Sequence, residues 1–462
     1  MSEVISVPKS AINGILWPAI SGGSSAGVLS ILFQLQQSER WTPEQIAFAQ
    51  SKQLHSVLIH CAKSVPAYSD ILKAIEFKED TPITAQQWHS LPILRRGQIP
   101  KLGSLLEATQ LDASHGKTME VHTSGSTGTP IKVKKTAIDQ LFYMAFNLRD
   151  HFWHKRNFKE KFAMIRTFDD GVANYPEGGR QANWGKPYTN LYQTGESVGL
   201  AITATIEQQL DWLQREQPGY LLAFPSVIAG LAQLSIDKKT ELPFLKGVSA
   251  LGESVDDSVR KLTQQAWDLE LVDMYSAQEV GYMALQCPDG DGYHVQSEGV
   301  FMEVLDDENK PCGPGQSGRI VVTPLHNFAM PLVRYEIGDY GEVGKPCSCG
   351  RGLPTLNRIL GRTRNLLVLP DGSKLWPRLS ELRYSDIVPV KQFQMVQKNM
   401  EHLEVKLVTG NEVVLEQEQQ LKELINSRIG HQFDIVFSYP DEIPRSATGK
   451  YEDFRSEISE EN

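Results

Sequence analysis

Long apolar runs, surplus positive charge and cysteine are all scarce in this 462-residue chain. A membrane-spanning helix needs ~20 mainly apolar residues. The longest uncharged stretch, between Lys9 and Glu39, is broken by Pro18 and by Ser21-Gly22-Gly23-Ser24-Ser25, which leaves Ala26–Leu35 too short to span. A signal peptide would carry positive charge near its start, and only Lys9 is offered. The stretch reads as a loop followed by a soluble helix, with no targeting signal and no membrane partner. Lys and Arg number 46 against 56 Asp and Glu, a net charge of −10. Phosphate backbones need a basic footprint, so a nucleic-acid-coating role is excluded, whereas a small anion held by a few local groups is not. Five cysteines, an odd number in a long chain, do not make a secreted disulfide framework and point to a reducing cytoplasm.

What remains is ordinary soluble composition, 40% hydrophobic and 22% charged, in enough chain for several domains. Helical spacing of apolar residues dominates 43–75 (Ile46, Ala49, Leu54, Val57, Leu58, Cys61). Four short apolar runs then read as buried strands, each followed by a turn or helix: Phe162–Phe168, Tyr220–Phe224, Val248–Leu251 and Leu271–Tyr275. That alternation predicts α/β layering. Val300–Leu305 and Ile320–Thr323 flank Pro311-Cys312-Gly313-Pro314-Gly315, the pattern of a β-hairpin or small β-subdomain. The tail after Gly361 holds an alternating strand (Leu403, Val405, Leu407), an amphipathic helix ending at Gly430, and the apolar run Phe433–Phe437. The expected architecture is a large α/β domain over 1–361, with a β-subdomain, and a small mobile α+β lid over 362–462.

The densest local signal is Thr123-Ser124-Gly125-Ser126-Thr127-Gly128-Thr129-Pro130, followed by Lys132 and Lys134. Glycines let backbone N–H groups turn towards an anion, and hydroxyls add donors without charge. Such a loop suits a polyphosphate. It is not a Walker A loop, because no Gly-Lys-Ser/Thr follows at the required spacing. A flexible Ser/Gly linker has the same composition. The flanking Val121 and Ile131-Lys132-Val133 favour a loop between two strands.

A second constellation joins Cys287 and His294, six residues apart in between, to Cys347-x-Cys349. Three thiols and an imidazole form a Cys₃His set that suits a structural Zn²⁺. The alternative is two unrelated loops with free cysteines.

The 123–130 loop resembles the phosphate loop of the AMP-forming acyl/aryl ligase superfamily, the adenylate-forming enzymes. Further stretches follow in that family's order. Gly252-Glu253 ends a strand, and Tyr275-Ser276-Ala277-Gln278-Glu279 resembles Tyr-Gly-x-Thr/Ser-Glu. Arg334-Tyr335-Glu336-Ile337-Gly338-Asp339 resembles Tyr-Arg-Thr-Gly-Asp, and Gly361-Arg362 the hinge motif. Pro444-Arg445-Ser446-Ala447-Thr448-Gly449-Lys450 resembles the C-terminal lysine motif. Ser64-Val65-Pro66-Ala67-Tyr68 and Cys347–Arg351 are similar to stretches of the phenylacetate–CoA ligase-like branch. The resemblance implies that a carboxylic acid, an aryl acid favoured, is joined to the α-phosphate of ATP, with pyrophosphate released and the acyl group passed to CoA. It implies that Thr123, Ser124, Gly125, Ser126, Thr127 and Gly128 cradle phosphates and that Gly252, Glu253, Tyr275 and Ser276 border the nucleotide. Tyr275 would stack on adenine, Asp339 would take the ribose hydroxyls, and Glu279 would hold Mg²⁺. Arg362 would reach ribose or phosphate at the hinge, and Lys450, on the lid, would bridge carboxylate and phosphate. A homodimer is compatible with it. Two alternatives stand beside CoA transfer. One is an adenylate-forming ligase with an amine, hydroxyl or carrier-protein acceptor. The other is a non-catalytic, nucleotide-binding zinc protein.

Some positions depart from the family pattern. The hinge usually reads Gly-Arg-x-Asp-Asp and here reads Gly361-Arg362-Thr363-Arg364-Asn365, followed by a hairpin, Val368–Pro377, with Asp371-Gly372 at its tip. In the family that hairpin lines the path of the CoA thiol arm, so the second half-reaction is the less secure expectation. Phe168, Tyr175, Trp184 and Tyr188 would suit the rim of an aryl pocket, and would equally suit plain packing.

Overall fold

Parallel strands buried on both faces need helices on both sides, and the middle of the chain supplies them. The computed structural model describes residues 8–123, 130–186, 188–362, 365–377, 384–446 and 449–458. Its six-stranded sheet runs in the order Gly179–Gln181, Ser197–Ala201, Phe162–Arg166, Tyr220–Ala223, Gly247–Ala250, Leu271–Val272. All neighbours are parallel except the first pair. Helices Ile206–Glu216, Pro225–Lys238 and Asp257–Trp267 connect these strands and share their core, centred on Ile165, Leu221, Val227 and Val248. The fold class is α/β, as expected.

An eight-stranded sheet of mainly antiparallel strands forms the second layer. It orders Met274–Ala277, Gly281–Gln286, Tyr293–Val295, Thr355–Arg362, Tyr335–Val343, Ser317–Pro324 and Val300–Leu305, with Leu94–Arg95 added in parallel to Tyr335–Val343. The hairpin read from 300–323 is therefore one edge of a larger sheet. The run Leu271–Tyr275, expected as one strand, is two. Leu271–Val272 closes the parallel sheet and Met274–Ala277 opens the antiparallel one. Asp273 makes the turn. It is buried, its N–H donates to Gln286 Oε1 (2.8 Å), and its carboxylate accepts from Met274 N (2.8 Å) and Tyr293 OH (2.7 Å). A buried carboxylate so satisfied pins the chain where it changes sheets.

The 43–75 helical segment is also two elements, Pro43–Ser64 and Pro66–Ala74. Pro66 lacks an N–H and restricts Val65, so the helix ends there. The uncharged N-terminal stretch contains helix Gly23–Ser38. Among the described residues, no helix is long and apolar enough to cross a membrane.

Beyond the hairpin Leu367–Val368/Lys374–Leu375, a four-stranded sheet orders Asp434–Ser438, His402–Thr409, Val390–Gln397 and Phe454–Ser456. Helix Leu415–Ile429 covers it, and Gly430 caps the helix at φ +77°. Leu403, Val405, Leu407, Leu421 and Ile425 form a core of their own. This C-terminal unit rests on the parallel sheet's end through Tyr451 N–H to Glu253 Oε1 (2.6 Å) and Arg445 Nη1 to Ser226 Oγ (2.8 Å).

Candidate active site

The described site is built around Glu279, in the turn between strands Met274–Ala277 and Gly281–Gln286, with only 5% of its surface exposed. Its Oε1 accepts from Arg96 Nη1 and from Tyr335 OH, each at 3.1 Å. Arg96 Nη2 also donates to Thr123 Oγ1 (2.6 Å). That oxygen accepts from Ile131 N (3.1 Å), while Thr123 N–H donates to Ile131 O (3.0 Å). Thr123 and Ile131 thus close the neck of the Gly/Ser/Thr loop, at the end of the hairpin Thr118–His122/Lys132–Thr136. The loop's Ser124, Gly125, Ser126, Thr127 and Gly128 lie outside the described residues. Lys132 and Lys134 turn to Glu120 (3.1 Å) and Glu107 (2.6 Å).

On the strand that leads into this turn, Tyr275 OH donates to Asp339 Oδ2 (2.7 Å), and Arg362 Nε lies 3.5 Å from Asp339 Oδ1 across the paired strands. Burial raises the Asp339 carboxyl above the usual carboxylate range, with Arg362, the Tyr275 bond and Lys450 pulling it back. Burial, then the Asp339 charge, keeps the Tyr275 phenol protonated far above its ordinary range. Ser276 is exposed beside them. Tyr275, Asp339 and Arg362 are therefore one cluster.

Gly252 follows strand Gly247–Ala250 at φ +78°, and a Cβ there would sit 2.9 Å from Phe224 Cε1 and 3.4 Å from Lys450 Cε. A side chain would be strained and would crowd Lys450. Lys450 belongs to a tight turn in which Gly449 N donates to Ser446 O (2.8 Å) and Lys450 N to Ser446 Oγ (3.1 Å). Glu253, expected beside the nucleotide, joins the large domain to the C-terminal unit through its carboxylate. It accepts from Ser226 N (3.0 Å), Ser226 Oγ (3.1 Å) and Tyr451 N (2.6 Å), with Arg445 Nη1 at 3.5 Å. Burial raises its carboxyl, and these donors oppose the shift.

The AMP-binding enzyme family model matches residues 34–329, and a CapK C-terminal domain model matches 379–456. The chain belongs to the AMP-binding enzymes. Among curated relatives, the phenylacetate–coenzyme A ligase of Thermus thermophilus is 25% identical over 295 residues, 56% of this chain and 66% of that one. Protein CapK of Staphylococcus aureus is 23% identical over 420 residues, 87% of each chain. The match thus spans just under two thirds of the Thermus ligase and most of CapK. The fold is shared with 2-hydroxyisobutyryl-CoA ligase in its postadenylation state, bound to an acyl-AMP. The TM-score is 0.71 at 17% identity, over 91% of this chain and 92% of that one. In its thioesterification state the same ligase superposes less well, at 0.59. These relatives place this AMP-binding enzyme on the phenylacetate–CoA ligase-like branch.

Within that family frame, the expected aryl rim does not form one surface. Trp184 and Tyr188 are in an aromatic core with Phe158, Phe162 and Tyr220. The Phe168 ring fills the space beside Gly199, and Tyr175 OH bonds Asp211 (3.1 Å). Residues without a sequence-based role that nevertheless touch the site are Arg96, Tyr335, Ser226, Arg445 and Tyr451. Tyr335 and Arg445 stand inside quoted motifs, which was the available signal. Arg96 has none, because its place depends on Leu94 pairing with Tyr335. Of the metal candidates, Cys287, His294, Cys347 and Cys349 are brought together at the far end of the antiparallel sheet.

Proposed function

We propose that this AMP-binding enzyme activates a small carboxylic acid with ATP and passes the acyl group to coenzyme A. An acid oxygen attacks the α-phosphorus, the bond to pyrophosphate breaks, and an acyl-adenylate remains. A thiol sulfur then attacks the acyl carbon and AMP leaves. The observation that carries this reading is the convergence of Glu279, the Tyr275–Asp339–Arg362 cluster and Lys450 beside the neck of the loop that begins at Thr123. Two anions must be brought together, so cations and donors placed in advance supply most of the rate.

Each residue then has a task. The loop from Thr123 through Gly128 holds the phosphates. Glu279 suits Mg²⁺, being a buried carboxylate whose Oε1 is already oriented by Arg96 and Tyr335. When bound, that ion neutralises phosphate charge. Asp339 accepts from the ribose, steadied by Tyr275 and Arg362, and the Tyr275 ring offers a face to adenine. Lys450 bridges acid and phosphate oxygens from the lid, 362–462, which closes over the 1–361 domain. The acid is an aryl acid by analogy with the phenylacetate ligases. The enzyme works in the cytoplasm, which keeps its five thiols reduced.

The test is pyrophosphate release against a panel of aryl, aliphatic and amino acids, with and without CoA. Acid-dependent release and CoA-dependent thioester are expected. Release with no thioester would move the acceptor to an amine, hydroxyl or carrier protein. ATP binding with no release on any acid would leave a nucleotide-binding protein without turnover.

A further inference from the structure

At strand ends away from the Glu279 turn, the antiparallel sheet carries four metal-ligating groups: Cys287 just past Gly281–Gln286, His294 on strand Tyr293–Val295, and Cys347 and Cys349 between Tyr335–Val343 and Thr355–Arg362. The sulfurs of Cys287, Cys347 and Cys349 and a ring nitrogen of His294 lie within 4.8 Å of one another. Cys287 Sγ is 3.8 Å from Cys347 Sγ, and Cys349 Sγ is 3.3 Å from His294 Nε2. Sulfurs in a disulfide would be ~2.05 Å apart. Tetrahedral Zn–S bonds of ~2.3 Å separate two thiolates by about 3.8 Å, the spacing found here.

Local backbone supports the same geometry. Asp289 N–H points at Cys287 Sγ (3.4 Å) and Arg351 N–H at Cys349 Sγ (3.5 Å), each two residues past the cysteine. Gly290 lies against the cluster, and a Cβ there would touch both Cys347 Sγ (3.8 Å) and Cys287 Sγ (4.0 Å). His294 is fully buried, and its Nδ1 faces the Leu353 carbonyl at 3.4 Å, an arrangement that directs Nε2 to a metal.

We propose that Cys287, His294, Cys347 and Cys349 bind one Zn²⁺ that is structural. All four positions are filled by protein, so no site remains for water or substrate. Strand Gly281–Gln286 runs from the Glu279 turn to Cys287, and six residues of strand span roughly 20 Å, which puts the ion out of reach of the acid. The ion instead fastens three elements. Arg40 Nη1 donates to Cys349 O (3.0 Å) and Gly352 N to Glu39 O (3.0 Å), tying the junction between the first two helices to the cysteine loop. Trp153 Nε1 donates to Glu39 Oε2 (2.8 Å), and its ring packs edge-on to His294 and beneath Arg351, adding the helix Ala137–Trp153. The assignment stands whether or not the chain activates an acid.

The test uses the full chain purified in reductant with no added metal. Elemental analysis should find about one zinc per chain after dialysis, and Co²⁺ exchanged for it should give intense thiolate charge-transfer bands and tetrahedral d–d bands. Near-zero zinc together with no Co²⁺–thiolate band on the wild-type chain overturns the proposal. So does an undiminished zinc content in a folded Cys347→Ser/Cys349→Ser variant, which would place the metal elsewhere. Hydrogen exchange with and without a strong chelator reads the structural role. Faster exchange at residues 38–42 and 347–353, with 445–452 unchanged, is expected. Equal rates at 38–42 would overturn the bracing.

Discussion

Arg96 is the residue on which the site's electrostatics turn, because one guanidinium serves both the buried carboxylate of Glu279 and the neck of the loop at Thr123. Removing one partner of a buried pair leaves the other charge uncompensated, at a cost of about 3 kcal/mol or more. Arg96→Ala should therefore lower unfolding stability by about 2–3 kcal/mol, discounted because Arg96 is partly open to water, and should slow pyrophosphate release. Urea titration and the pyrophosphate assay check the two effects, and wild-type stability would remove Arg96 as Glu279's counter-charge. Lys450→Ala should behave oppositely. It should cut adenylation by about 10²-fold or more with the melting temperature nearly unchanged, because a half-buried lysine on a loop turn holds little of the fold. Normal adenylation in that variant would take Lys450 out of the mechanism. Sequence made Lys450 and Asp339 legible because ordered motifs carry them. Arg96 is invisible there because its position depends on a strand of two residues laid beside Tyr335, a contact across most of the chain.

Apolar runs located four strands of the parallel sheet but passed over Ser197–Ala201, Gly281–Gln286 and Val390–Gln397, and they could not partition strands between sheets. Leu271–Tyr275 looks like one buried strand because its apolar residues share a run. The polar residue inside it decides the topology. Burial pushes the Asp273 carboxyl up to about 6, against the bond from Tyr293 and the nearby Arg260. A carboxyl whose value is raised on folding holds its proton more tightly in the folded chain. Its contribution to stability is full below about pH 4, where it is protonated in both states, and is lost as pH climbs through about 6. Asp273→Asn stays neutral and still offers an oxygen to Met274 N–H. The variant should be more stable than wild type at pH 8 by roughly 1–3 kcal/mol, with the difference fading by pH 4. Paired urea melts at the two pH values measure it. A variant weaker than wild type at pH 8 would mean that the charged form is the one the sheet junction needs. The α+β unit after Gly361 was more legible, because a strand alternating at period two, a helix at period 3.6 and a capping glycine are all local signals.

At the scale of the whole molecule, how the lid meets the large domain is what sequence conveys least, since neither surface carries a local pattern that names its mate. Glu253 shows the difference. Its motif suggests the nucleotide, and its carboxylate receives Ser226 from the parallel sheet's side and Tyr451 N–H and Arg445 from the C-terminal unit. Tyr451 directly follows Lys450, so this clasp sets where the lysine enters. A clasp of this kind stabilises one lid position and no other, and the family's thioester step takes place after the lid has turned. Arg445→Ala should therefore slow pyrophosphate release by about tenfold to hundredfold, the usual penalty for misplacing a reacting group by an ångström. The ATP dissociation constant should stay within about twofold, because Arg445 contacts Glu253, Ser226 and Gly449 rather than the Tyr275–Asp339–Arg362 cluster. Under the proposed two-step reaction, transfer from supplied acyl-adenylate to the acceptor should also be spared. Single-turnover assays of the two half-reactions, run beside ATP titration, separate the possibilities. A large loss of ATP affinity would return Glu253 to the nucleotide site, and equal slowing of both half-reactions would mean that Arg445 holds the lid together rather than holding it closed.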